Sequence, residues 1–110
     1  MLRVRATDAL TELPGPASVD AALHALRDQD AHVRASAARA LGMFGDRRAV
    51  PPLIECLRRG DKFERQASAE ALGRLGDPRA LSTLTVALKD SEKGVREAAV
   101  EAIGRIGAGR

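Results

Sequence analysis

The chain repeats itself. Arg34 is followed by Arg65 and Arg96, Gly42 by Gly73 and Gly104, and Gly45 by Gly76 and Gly107, always at a step of 31 residues (65 − 34, 96 − 65). Leu41, Leu72 and Ile103 keep the step, as do Leu26, Leu57 and Leu88. A fixed period of this length marks a stack of one supersecondary unit, in which each copy buries its apolar face against the next. Such a stack presents an extended surface and seldom carries chemistry of its own.

The middle copy displays the unit. Asp46 is placed to cap a helix, as is Asp77 one step later, with Pro78 at the first helical position where a missing N–H is harmless. Val50, Leu53, Ile54 and Leu57 then follow at i, i+3, i+4 and i+7, the stripe of an amphipathic helix. Gly60-Asp61 breaks it and opens a second helix, which runs through Ala69, Leu72 and Leu75 to a stop at Gly76. The pattern predicts helix A over about 17–27, 47–58 and 79–89, and helix B over about 31–44, 62–75 and 93–106. Residues 2–13 align with helix B, Leu2-Arg3 on Val33-Arg34 and Leu10 on Leu41. The expectation is one all-α domain over 1–110, a right-handed α–α solenoid of about seven helices: a half repeat at 1–14 and repeats at about 15–45, 46–76 and 77–107. Aromatics make up only 2% of the chain, so the core must be Leu, Ile, Val and Ala, which suits closely packed helices.

The first helix has no N-cap residue and no helix A before it, and its apolar face, Leu2, Ala6, Leu10 and Leu13, lacks half its cover. The last repeat ends on Ile106-Gly107 without a polar capping helix. This predicts a fragment of a longer array, or ends that pair with another copy as a homodimer.

The pattern D-x-x-V-R-x-x-A-x-x-A-L-G-x-x-G-D, read here from Asp30 to Asp46 with Val33-Arg34 and Ala40-Leu41-Gly42 inside it, resembles the short HEAT-like repeat of the phycobilisome-lyase type. The resemblance implies an α–α superhelix whose B helices line a concave surface. It also implies that the Arg34, Arg65, Arg96 ladder, beside Asp30, Asp61 and Glu92, ties neighbouring repeats together. Val33, Ala37, Ala40, Leu41 and Phe44 are the predicted buried stripe of helix B.

The opposite face carries the variable slots. They read Ala31, Lys62, Lys93; His32, Phe63, Gly94; Ala35, Gln66, Glu97; Arg39, Glu70, Glu101; and Met43, Arg74, Arg105, with Val4, Asp8 and Glu12 from the first helix. The predicted partner-binding residues are Arg39, Met43, Phe63, Gln66, Glu70, Arg74, Glu97, Glu101 and Arg105. Phe63 is the outlier, either an exposed anchor beside Met43 or a ring folded over the turn at Leu57.

No constellation for catalysis stands out, and no catalytic, cofactor or metal residue is predicted. His24 and His32 read as surface side chains; neither precedes a glutamate, so the His-Glu pairs of the iron-binding HEAT-like hydroxylase are missing. Cys56 aligns with Ala25 and Ala87 and reads as a buried core thiol. Arg58, Arg59, Lys62 and Arg65 form a basic cluster, but the row Asp8, Arg39, Glu70, Glu101 is mainly acidic and repels phosphates, which argues against nucleic acid. The net charge of +3, from 18 basic and 15 acidic residues, is mild. One cysteine, no signal-peptide core and no apolar run long enough to span a bilayer predict a soluble cytoplasmic protein. The expected function is a non-catalytic scaffold that binds a protein on its concave face. The alternative implied by the resemblance is a subunit or fragment of a bilin lyase or related enzyme.

Overall fold

The structure, a computed structural model, describes residues 16–109. Six α-helices run in order: α1 (Pro16–Ala25), α2 (Ala31–Phe44), α3 (Val50–Arg59), α4 (Lys62–Leu75), α5 (Leu81–Ala87) and α6 (Lys93–Ala108). No strand occurs among the described residues. The expected seventh helix, over 2–13, lies outside them, as do Val4, Asp8 and Glu12. The A helices α1, α3 and α5 each pack on the B helix that follows, and α2, α4 and α6 lie side by side in chain order.

The helix A starts differ from expectation. Asp46 and Asp77 cap, but what they cap is a 3-10 turn: Arg47–Ala49 before α3 and Pro78–Ala80 before α5. Each carboxylate accepts from the backbone N–H two residues on (Arg48, 2.8 Å; Arg79, 2.9 Å), which closes the chain tightly enough for an i→i+3 bond. The α-helix proper follows from Val50 and Leu81, with Pro51 and Pro52 in the first turn of α3, where no N–H is needed. The A helices also stop early, at Ala25 and Ala87. Their last turns tighten, with Arg27 and Asp28 donating to the carbonyls of His24 and Ala25, and Lys89 and Asp90 to those of Val86 and Ala87.

The B helices match their predicted bounds more closely. Gly45 and Gly76 end α2 and α4 in the left-handed region, at φ 74° and 68°. Gly107 does not act as their third member, and α6 continues to Ala108. Asp46 and Asp77, which open the next turn after Gly45 and Gly76, have Ala108 as their counterpart, so nothing there pulls the chain out of the helix.

The core is Leu41, Leu53, Leu72, Leu84 and Ile106 set among alanines. Those alanines allow the B helices to touch almost backbone to backbone. A side chain on Gly42 would begin 2.8 Å from the Cα of Ala71, and one on Gly73 would begin 2.7 Å from the Cα of Ala102. Val33 and Phe44, expected in the buried stripe, are only partly covered, while Ala38 is fully buried.

The arginine ladder ties neighbours, though not through the acids beside it. Asp30 and Asp61 cap their own helices, accepting from the N–H of His32 (2.8 Å) and Glu64 (2.9 Å). Arg34 instead forks onto Glu64 of the next repeat, at 2.8 and 2.9 Å. Arg65 forks onto Asp90, at 2.8 and 3.0 Å. The remaining nitrogen of each arginine donates to a carbonyl in its own A–B turn, Asp28 for Arg34, Gly60 for Arg65 and Asp90 for Arg96.

Candidate functional site

The variable slots fall on the exposed side of α2, α4 and α6, because the alanine and leucine slots turn the opposite side into the stack. Two grooves run between these helices. Gln66, Glu70, Arg74, Gly94, Glu97, Glu101 and Arg105 line one of about 350 Å³ between α4 and α6. Arg39, Met43, Glu70 and Arg74 line another of about 230 Å³ between α2 and α4. Glu70 and Arg74 border both, so the grooves adjoin. Eight of the nine predicted contact residues meet here; Phe63 borders neither groove.

Phe63 stands at the start of α4, 51% exposed. The Lys62 ammonium lies 5.3 Å from the ring centroid, and the His32 ring is 6.3 Å away. The result is an exposed aromatic flanked by a cation and an imidazole. His24 is exposed as well.

Charge is banded along this face: Lys62 and Lys93 mark the helix starts outside the grooves, and within the groove walls Glu70, Glu97 and Glu101 precede Arg74 and Arg105 at the helix ends. Several pair across one another: Arg39 with Glu70 at 3.9 Å, Lys93 with Glu97 at 4.0 Å and Arg105 with Glu101 at 3.3 Å. Gln66 donates to Glu70 at 3.4 Å. All three ion pairs are solvent-exposed, and such pairs contribute only ~0–1 kcal/mol, so a ligand's charges can replace them at small cost.

Three placements differ from the sequence reading. Ala35, assigned to this face, is buried. Its methyl is too short to stand clear of its neighbours. Gly94 reads in the sequence as an empty variable slot, yet a Cβ there would begin 2.5 Å from Oε1 of Gln66, so this glycine is what lets Gln66 lie across the groove. Cys56 is only partly buried; it packs on the core and borders a groove of about 570 Å³ on the helix A side with His24, Arg48 and Glu55. Burial is the main influence on its thiol and pushes its pKa up, away from the thiolate form.

The basic cluster is largely paired. Arg58 and Arg59 meet Glu55 at 3.8 and 3.6 Å, and Arg65 is held by Asp90. Elsewhere the guanidinium groups of Arg48 and Arg79 hold the carboxyls of Asp46 and Asp77 below the ordinary carboxylate value, first through side-chain hydrogen bonds. Among the described residues no three His, Cys, Asp or Glu side chains group so as to hold a metal ion. No described helix is long and apolar enough to cross a membrane.

Against known proteins, the HEAT repeats family model matches residues 1–73 and 61–110. The chain belongs to the HEAT repeat family. Among solved structures it is similar to a chain in the complex of CpcE and CpcF of phycocyanin lyase from Nostoc sp., 35% identical with a TM-score of 0.84 over 97% of this chain and 48% of that one. It is also similar to human deoxyhypusine hydroxylase, 30% identical with a TM-score of 0.84 over 96% of this chain and 38% of that one. The chain thus spans less than half the length of each. No curated protein sequence matches it.

Proposed function

We propose that this HEAT-repeat chain is a non-catalytic, protein-binding subunit or module of a lyase-type assembly, and that it holds its partner on the grooved face of α2, α4 and α6. The observation that carries the reading is the pair of adjoining grooves, which brings Arg39, Met43, Gln66, Glu70, Arg74, Glu97, Glu101 and Arg105 together on one stiff surface. The α-helical stack beneath is preformed, so binding orders little of the scaffold and retains more of its contact energy. Two features support a protein partner. The Nostoc relative is one of two proteins in a complex. The face itself combines an exposed Phe and Met with alternating charge, the composition of an interface centre and its rim.

The comparisons favour the lyase-type setting over a free-standing adaptor, and absorbance tests it. A tetrapyrrole band copurifying with the chain after co-expression with a bilin and its acceptor protein supports a lyase-type role. Partner binding with no such band supports the plain adaptor. Replacing Phe63, Glu70 and Arg74 together by alanine tests the face. These side chains are exposed, so the variant should keep its helical circular dichroism and lose the partner. Undiminished binding would place the contact elsewhere.

A further inference from the structure

Gly94 and Gln66 form a feature that the stacking of repeats does not require. The slot of Gly94 holds His32 and Phe63 in the other repeats, so the helix start accepts a side chain there. In α6 its absence gives the Gln66 carboxamide room to lie across the groove between α4 and α6, where a Cβ would begin 2.5 Å from Oε1 and 3.1 Å from Cδ. That amide makes one long bond, from Nε2 to Glu70 at 3.4 Å, and its oxygen meets no donor among the described residues. Buried Ala98 and Ala102 floor the groove. Past the amide come the carboxylates of Glu70, Glu97 and Glu101, then the guanidinium groups of Arg74 and Arg105. Arg105 leans over α4, its Cδ 3.6 Å from the place a Cβ on Gly73 would take, which sets it beside Arg74. Arg74 has no carboxylate within ion-pair distance among the described residues.

We propose that this groove receives an extended segment of the partner protein, and that Gln66 pairs with the backbone of that segment. The inference rests on the partner being held on the grooved face. A carboxamide offers an acceptor and two donors, so it can take the N–H and the C=O of one residue, which in an extended chain point to the same side. A helical segment has no such pair to give, because its peptide groups are spent on its own i→i−4 bonds. At ~10–12 Å across, a helix also rides above a groove of about 350 Å³. The charge order specifies the side chains. Glu101 and Arg105 stand one helical turn apart, ~6 Å, and alternate side chains of an extended chain repeat at ~6.6 Å. The segment therefore carries a basic residue for Glu70, Glu97 and Glu101 and, two places along, an acidic residue for the paired guanidinium groups of Arg74 and Arg105. Further hairpins stacked on either end of the array would lengthen the row of B helices and leave this groove facing outward.

Short random linear peptides displayed on phage and selected on the full chain test this. The selected peptides should share a base and an acid two places apart, and the variant with Phe63, Glu70 and Arg74 replaced by alanine should not bind them. Gly94→Ala supplies the decisive reading. Its methyl displaces only the flexible end of Gln66, and alanine is the better helix former, so the urea midpoint should not fall. Binding of the selected peptides should nevertheless weaken about tenfold, as expected for losing a backbone pairing. Gln66→Ala should weaken it as much, and the double variant no further, since both changes remove one amide from one place. Peptides that need the grooved face but lack the charge pair, or that bind Gly94→Ala and Gln66→Ala undiminished, overturn the extended segment and leave the face itself standing. A library that yields no binder does the same, and gives the face to a folded surface. Selected peptides that still bind the triple variant overturn both readings.

Discussion

Glu64 and Asp90 perform the same two tasks from different positions in their repeats. Each accepts the fork of the preceding ladder arginine, Arg34 or Arg65, and each accepts the backbone N–H at the start of its own helix B, that of Asp61 (3.1 Å) or Glu92 (2.9 Å). Asp28 and Asp90 occupy one slot, and the middle repeat has Arg59 there. Glu64 occupies the slot of Val33 and Val95. Gly60 completes the exchange: a side chain there would collide with the Cβ of Glu64 at 2.6 Å and the Cys56 carbonyl at 2.7 Å. The same role near the turn is thus filled from two different slots.

Asp90→Asn removes the charge partner of Arg65. The Arg65 hydrogen bonds hold the Asp90 carboxyl below its ordinary 3.8. A carboxyl lowered on folding contributes stability that is complete above the unfolded pKa and is lost as pH falls through the folded one. The variant should therefore be less stable at pH 7, and its deficit should shrink below about pH 4. Urea unfolding of both proteins from neutral to strongly acidic pH measures the gap.

Gly73→Ala should destabilise despite alanine's better helix propensity. The new methyl meets the Ala102 Cα at 2.7 Å, a backbone atom that moves only with its helix. Overpacking of this kind costs ~1–3 kcal/mol, against a propensity gain of ~1 kcal/mol. Denaturation midpoints of the two proteins give the net sign.

Ser68→Ala should stabilise. Ser68 is fully buried, and its hydroxyl meets no oxygen or nitrogen partner among the described residues, only the weakly bonding Cys56 thiol beside it. Ala37 and Ala99 hold the same slot in the other repeats. Removing a poorly satisfied hydroxyl and improving helix propensity together should yield ~0.5–2 kcal/mol. An unchanged or lowered melting temperature would mean the hydroxyl is satisfied in solution.

Leu72→Ala should cost ~2–5 kcal/mol, since Leu72 is fully buried in the central repeat. Ile103→Ala, at the same slot of α6 but only partly covered, should cost less. Equal losses would mean that Ile103 is as enclosed as Leu72.

Asp61→Ala should cost ~1 kcal/mol by opening the capping box with Glu64. Glu64→Ala should cost more, because it also strands the Arg34 fork. Thermal melts of both variants test the order.

The helices and their pairing are legible in the sequence because apolar spacing and glycine stops report directly on which side of a helix is covered. The grooved face is legible for the same reason in reverse, as the slots left over. Less visible is anything decided by a neighbour at long range. Nothing local says that Arg34 reaches Glu64 rather than Asp61, although the displaced acid and Gly60 in the middle repeat are a signal of it. The 3-10 starts of the A helices do not show, because a capping Asp looks alike before either kind of turn. Gly94 looks like a gap because its reason, Gln66, is 28 residues away (94 − 66) on another helix.

The ladder arginines take a carboxylate from either of two addresses, and this gives the fold a loose grammar. The second and third hairpins each answer the demand of the arginine before them from a different slot, so the rung survives a change of address. What the order of hairpins determines is the sequence of side chains along the grooves.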